Sequence, residues 1–330
     1  MTEVSQKTRA LLALSMLKGV GPAALRRIAA LRGFEKLPKD ELSFHLPRNI
    51  AAGVSSDAWL QASSAADRQI ELAHAAGACI ISSADTDYPR LLAETRDDPQ
   101  ILFVKGRLAS SPEKSVAIIG TREPTDHGRI IAERLTGFFI GEGWSVISGL
   151  AIGCDAIAHE AALDAGGHTV AVMAHGLQTV APSRHERLAQ RIIESGGALA
   201  TEYHFGQEPL PTNFVKRDRI QAGLAQGVVM VQSDVTGGSL HASRASIDYG
   251  RWLAIPYPTD QDVARLAPKV QGNLLLADGT SQEKTSLLKC DQSGLSRLIV
   301  LRNRDDYGKM IHVRDSRVPP HLPPVQGQLF

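Results

Sequence analysis

Between Ser115 and Tyr257 six short apolar runs alternate with amphipathic stretches, and that alternation leaves few folds open. The runs are "SVAIIG" (115–120), "WSVIS" (144–148), "HTVAVMA" (168–174), "GALATEY" (197–203), "GVVMVQ" (227–232) and "WLAIPY" (252–257). Each is apolar throughout rather than at every second residue, which is the pattern of a strand buried on both faces. The stretches between them carry apolar residues at helical spacing, as in Ile130, Ile131, Leu135, Phe138 and Phe139, and around Leu188, Ile192 and Ile193. Helices are also expected over 155–165 and 239–250. Strand and helix in strict alternation predict an α/β fold, a Rossmann-like, doubly wound, mainly parallel sheet with helices on both faces.

The flanks are different. Residues 8–31 read as two helices about a glycine turn, "KGVGPAALRRI", followed by a less regular stretch to residue 70 that Pro38 and Pro47 interrupt. This predicts a small N-terminal helical domain, 1–70, with a helix-hairpin-helix-like (SAM-like) turn. The turn reads either as a phosphate contact with Arg26 and Arg27 nearby or as a plain joint in a helical bundle. Residues 71–283 form the core, with strands at 78–82 and 101–104 ahead of the motif-bearing part at 115–258. Residues 284–330 form an extension that could hold a strand pair. From Lys284 to Arg317 it has eight Lys or Arg against four Asp or Glu, an excess of +4. Its end, "VPPHLPPVQGQLF", reads as an extended tail, either simply solvated or docking Leu329 and Phe330 on a partner.

Composition narrows the chemistry. Net charge is +1, so any nucleic-acid site must be a local patch. The three cysteines, Cys79, Cys154 and Cys290, lie far apart, which suits a reducing, cytoplasmic setting rather than a disulfide framework. No apolar leader and no apolar run of about 18 residues is found, so no membrane association is expected. GxGxxG, the P-loop and GxSxG are absent, which argues against NAD, P-loop nucleotide hydrolysis and a serine hydrolase. Eleven histidines form no metal-binding cluster, so neither metal nor cofactor is expected. Cys154, His159 and His175 read as packed side chains rather than catalytic ones.

In such a sheet ligands sit beyond the carboxyl ends of the strands. Three glycine-bearing turns should meet there: Gly120, Thr121 and Arg122; Ser148, Gly149 and Gly153; and Gly237, Gly238 and Ser239. Small residues let the backbone approach an anion, and helix-opening amides then donate to it. Each turn alone also reads as a packing turn. A fourth segment, "PTNFVKRDRIQAGL" (211–224), sets Lys216, Arg217 and Arg219 beside Phe214, a combination suited to a sugar-phosphate chain with exposed bases. Basic residues at a helix start would oppose the macrodipole unless an anion relieved them. These twelve residues are the candidate phosphate-binding set.

Together the segments resemble the bacterial DNA-processing protein A family, also called Smf. Its G-[ST]-R, SGLAxGID-xx-AH, NFPxRNRIIxGL and GSL-xTA-xxAxxxGR segments correspond to Gly120–Arg122, Ser148–His159, Asn213–Leu224 and Gly238–Arg251, and "DYPRLLAETRDDPQILFVKGRL" corresponds to its lead-in. The resemblance covers residues 8–280. It implies a non-catalytic, dimeric protein that binds single-stranded DNA through a basic pocket, shields incoming strands in natural transformation and helps load a RecA-type recombinase. It also places Arg122, Arg217 and Arg219 on the strand. The chain departs from the pattern at Ile152, where a cation is usual, at Cys154, and at Asp218, where asparagine is usual. A winged-helix tail is not evident. Two other readings remain. One is a nucleotide sensor or phosphoribohydrolase-like enzyme of the related Rossmann-like superfamily, although the region around "TGGSLHASRASIDYG" offers Asp248 and no glutamate at the catalytic spacing. The other is an adaptor acting through its proline-rich tail, and a mobile-element or defence setting suits either.

Overall fold

The structure, a computed structural model, describes residues 3–46 and 56–311. Helices α1 (Gln6–Met16), α2 (Pro22–Ala29), α3 (Lys39–Phe44) and α4 (Ser56–Ala75) precede the sheet. Strand β1 (Ala78–Ser82), the short helix α5 (Arg90–Ala93) and β2 (Ile101–Gly106) lead into β3 (Ser115–Ile119), α6 (Asp126–Gly141), β4 (Ser145–Ser148), α7 (Cys154–Asp164) and β5 (Thr169–Val172). Helix α8 (Glu186–Glu194), β6 (Ala198–Thr201), α9 (Pro211–Gly223), β7 (Gly227–Met230), α10 (Leu240–Asp248) and β8 (Trp252–Pro256) follow. The chain continues through α11 (Asp260–Ala264), α12 (Gln271–Asp278), α13 (Ser281–Leu288), β9 (Leu298–Leu301) and α14 (Gly308–Ile311).

All nine strands form one sheet in the order β1-β2-β6-β5-β4-β3-β7-β8-β9. From β6 to β9 every pairing is parallel, while β2 pairs antiparallel with both β1 and β6. The alternation of side chains along β3 divides the core. Val116 and Ile118 pack with Leu135 and Phe139 of α6 and Ala158 of α7 on one face, whereas Ala117 and Ile119 pack with Ile220 of α9 and Leu240 and Ile247 of α10 on the other. The fold is thus the doubly wound α/β architecture that the sequence predicts.

The N-terminal helices share their core with the sheet. Leu11, Leu14 and Ile28 join one apolar cluster with Phe103 of β2, Leu199 of β6 and Ile192 of α8. Polar pins reinforce the contact: Thr8 donates to Ser82 at 2.7 Å and also to Asp85, and Arg26 grips Asp98 through Nε at 3.0 Å and Nη2 at 2.6 Å. The turn between α1 and α2 contains Gly19 at φ 91° and ends on Gly21 as N-cap. Its Arg26, a possible phosphate contact from sequence, is instead the joint to Asp98, and Arg27 stays exposed.

Two further details differ from the sequence expectation. Among the described residues the extension supplies one strand, β9, which adds to the sheet parallel to β8, and the end of the segment expected to hold a strand pair lies outside the described residues. Pro47 and the tail from 312 to 330, with Leu329 and Phe330, lie outside the described residues.

Candidate functional site

Strands β3 and β7 are neighbours, but α6 and α10, which follow them, cover opposite faces. Their carboxyl ends therefore cannot be bridged by a helix, and a crevice opens there, as at every switch point of a doubly wound sheet. It is a cavity of about 770 Å³. Gly120, Thr121 and Arg122 line it from the β3 end, and Thr236, Gly237, Gly238 and Ser239 from the β7 end. Ile152 and Asp155 enter from the β4–α7 turn, and Phe214, Arg217, Asp218 and Gln221 from α9.

The glycine turns do different jobs. Ser148 is fully buried and donates to the Ile118 carbonyl at 2.6 Å. The Gly149 amide donates to Asp155 Oδ2 at 3.0 Å, and any Cβ on Gly149 would overlap the Arg217 guanidinium. Gly153, at φ 84°, lets this turn touch the first one, since a Cβ there would fall 2.5 Å from the Thr121 carbonyl oxygen. Ser148, Gly149 and Gly153 thus shape the wall without lining the cavity, and Gly149's amide is already spent on a carboxylate. At α10 the opposite holds. Among the described residues no hydrogen bond takes the amides of Gly238 and Ser239, and nothing stands within 4 Å of a Cβ built on Gly238.

The basic segment of α9 is likewise divided. The helix starts at Pro211, so Lys216 to Arg219 stand beyond its first turn and do not oppose the dipole there. Arg217 is 3 % exposed. Its Nη1 donates to the Val172 carbonyl at 2.7 Å, its Nε lies 3.4 Å from Asp218 Oδ1, and its charge faces Asp155. Arg219 points elsewhere: it holds Glu202 through two hydrogen bonds, at 2.7 and 3.1 Å, and stands 3.7 Å from Asp97. Lys216 is exposed and, like Arg219, is not part of the cavity wall. The sequence expectation that Lys216, Arg217 and Arg219 jointly face a strand is corrected. One is a buried strut, one an ion-pair partner outside the cavity, and one lies on the surface beside it.

The wall is not basic. Arg122, Arg217 and Lys269 are set against Glu123, Asp155, Asp218 and Asp234. Lys269 is bound to Asp234 at 3.1 Å. Arg122 is exposed and makes no ion pair within 4 Å among the described residues, although its charge faces Asp218. Burial raises the Asp155 carboxyl while the Arg217 charge opposes the rise. Burial also pushes Asp218 up to about 7, again against Arg217, with the Asp155 charge adding to the rise. Ile152 supplies hydrocarbon to the same wall.

Packed side chains behind the wall are inert. Burial raises the Cys154 thiol to about 12 and lowers His159 to about 3. His159 shares a 2.7 Å hydrogen bond with Thr169, and His175 one of 2.8 Å with the Gly176 carbonyl. Among the described residues no group of three or more His, Cys, Asp or Glu could hold a metal ion, and no helix there is long and apolar enough to cross a membrane.

Sequence reasoning missed Lys269, Asp234, Gln221 and the β5–α8 loop, whose Ala181 and Pro182 line the cavity and whose Arg184 is exposed. It also missed Asn273, whose side chain donates to the carbonyls of Met230, Val231 and Pro256 and accepts from the Ser233 amide, tying β7, β8 and α12 together below the mouth.

Comparison with known proteins finds relatives in sequence and in fold. Smf from Escherichia coli is 38% identical over 177 residues, which is 53% of this chain and 47% of that one. The DNA processing protein DprA of Streptococcus pneumoniae is 37% identical over 176 residues, 53% of this chain and 62% of its own length. The chain thus spans about half the length of these relatives. An X-ray structure of the S. pneumoniae protein superposes with a TM-score of 0.64 at 24% identity, covering 84% of this chain and 99% of that one. A Helicobacter pylori DNA processing protein A, described for its single-stranded DNA binding mode, superposes with a TM-score of 0.53 at 25% identity over 61% of this chain and 88% of its own. The family profile for DNA recombination-mediator protein A matches residues 79–280, more than half of the chain. This chain belongs to the DNA recombination-mediator protein A family.

Proposed function

We propose that this chain binds single-stranded DNA at the crevice between β3 and β7, with Arg122 and the amides of Gly238 and Ser239 taking phosphates. One observation carries the reading: an exposed guanidinium with no ion pair within 4 Å and a helix N-terminus with unspent amides line the same cavity among the described residues. Both are anion donors, and the guanidinium is the more specific of the two. Gly120, Thr121 and Gly237 let a backbone pass close, while Lys216 and Arg184 offer further charge beside the mouth. Phe214, Pro182 and Ile152 give bases an apolar surface. The single-stranded DNA named for the H. pylori relative is the ligand class adopted for this chain.

The protein acts by holding a strand rather than by breaking a bond. A thiol raised to about 12 and a histidine lowered to about 3 are poor nucleophile and base at neutral pH, which supports this reading. The wider role follows the family: a cytoplasmic homodimer that shields incoming strands and hands them to a RecA-type recombinase.

Fluorescence anisotropy with a labelled oligonucleotide tests the core claim. Single strand should outcompete duplex, and affinity should fall steeply as salt rises. Binding that ignores salt, or no binding at all, contradicts it. A nucleotide-sensor reading has one feature in its favour, a cavity of about 770 Å³ whose wall includes Asp218 and Gln221 as polar groups besides the phosphate donors at its mouth. A mononucleotide competitor separates the two.

A further inference from the structure

The cavity has a polarity that phosphate binding at the mouth does not use. Its mouth carries donors: Arg122 and the α10 amides. Its floor carries acceptors. Asp218 Oδ1 accepts from Gln221 Nε2 at 3.0 Å and lies 3.4 Å from Arg217 Nε, while Oδ2 has no partner among the described residues. Gln221 is 2 % exposed, lines the cavity, and leaves Oε1 unpaired. Gln221 Oε1 is sealed from the cavity, so the acceptor that a ligand can reach is Asp218, and the floor favours a ligand that brings N–H groups inward. Between floor and mouth the walls are hydrocarbon and aromatic: Ile152, Pro182, Phe214 and Val215. A ligand matched to all three zones has a planar, donor-edged ring inside and an anion outside. A cavity of about 770 Å³ lies within the range that encloses a small ligand.

We propose that the Asp218–Gln221 floor is a base-reading subsite that selects guanine in a nucleotide, whether free or within a strand. The selection follows from donor count. Ionised, a carboxylate presents two oxygens side by side and accepts only, so the selection is read at about pH 8, above the value of about 7 to which burial pushes Asp218. Guanine's pairing edge sets a ring N–H next to an amino group, two donors in line with those oxygens. Thymine offers one N–H flanked by two carbonyl oxygens that would face the carboxylate. Adenine and cytosine each offer an amino group beside a bare ring nitrogen, whose lone pair also faces it. Arg217 Nε, 3.4 Å from Oδ1, and Gln221 Nε2, which donates to the same oxygen, hold Asp218 in place. This subsite rests on the DNA-binding reading for its strand-borne form alone, since a free nucleotide would report it independently.

The experiment compares four oligonucleotides of abasic residues, identical except for one central G, A, C or T, and the four 5′-mononucleotides, against the full chain and D218N. Guanine should bind about tenfold or more tighter than thymine, the scale of one good bidentate base contact. D218N, whose amide no longer accepts at both atoms, should bring that ratio below about threefold. Equal binding of all four bases overturns the subsite, as does a thymine preference or a guanine preference that persists in D218N. If D218N does not fold, the ranking by the unmodified chain still decides. If no oligonucleotide binds while guanine mononucleotide does, the DNA reading falls and the subsite stands.

Discussion

Replacing Arg217 with methionine isolates the role that the structure gives this residue. The methionine stem fills much of the same apolar volume but removes the charge and the donors. Left behind are the Val172 carbonyl, which loses its 2.7 Å partner, and two carboxylates, Asp155 and Asp218, which lose their counter-charge. Asp155 is 6 % exposed, so water cannot take over. Removing one partner of a buried charge network costs about 3–5 kcal/mol, and the stranded carbonyl falls within that figure rather than adding to it. For a chain of this size the loss corresponds to a melting point lower by roughly 4–7 °C. The penalty is for ionised carboxylates, so it must shrink as they take up protons. Thermal melts at about pH 8 and about pH 5.5 read this directly. The R217M deficit should be large at the higher pH, smaller at the lower, and partly rescued by D218N in the same chain. A deficit under about 1 kcal/mol, or one equal at both pH values, would refute the strut and return Arg217 to the candidate DNA contacts.

Other outcomes follow from the same geometry. G149A should lower stability by about 1–3 kcal/mol, because the new methyl group meets a guanidinium with no room to retreat, whereas G238A, with open space around its Cβ, should melt within about 0.5 kcal/mol of the parent. Cys154 is fully buried and its thiol is raised to about 12, so a thiol reagent should modify no more than Cys79 and Cys290 until the protein unfolds. Asp218 is held at about 7 by burial, with Arg217 of its own helix, Asp155 of α7 and Arg122 of the β3–α6 turn facing it. The folded state therefore keeps a proton that the unfolded chain, near the ordinary aspartate value of 3.8, has already released, and stability falls as pH rises towards about 7. The D218N melting profile should be flatter across that interval, and a profile parallel to the parent's would contradict the assignment.

Much of the fold was legible because buried parallel strands announce themselves. "SVAII" and "GVVM" are apolar at every position, and both became fully buried strands. The site was half legible. Turns rich in glycine marked the crevice, but glycine serves close packing as readily as anion binding, and only the structure separates Gly149, pressed on Arg217, from Gly238, open to the cavity. A finer signal was present in α9. Asn213, Arg217, Ile220 and Gln221 are all buried, at positions i, i+4, i+7 and i+8 of one helical stripe, so Arg217 shares a face with Ile220 while Arg219 does not. Reading the charges as a cluster hid that periodicity. Lys269 left no mark in the sequence, since it is brought to the wall by a single turn of 3-10 helix far from every motif. The parallel course of β9 was equally hidden, because "LIVL" specifies a strand but not its neighbour.

The account turns on which arginine meets the strand. Arg122 is exposed at the cavity and makes no ion pair within 4 Å among the described residues, while Arg219 is closed on Glu202 outside it. The decisive measurement is the salt dependence of single-strand affinity for R122A and R219A beside the unmodified chain. The account predicts weaker binding and a log–log salt slope shallower by about one for R122A, and an unchanged slope for R219A. An unchanged slope for R122A with a lost contact for R219A would contradict it.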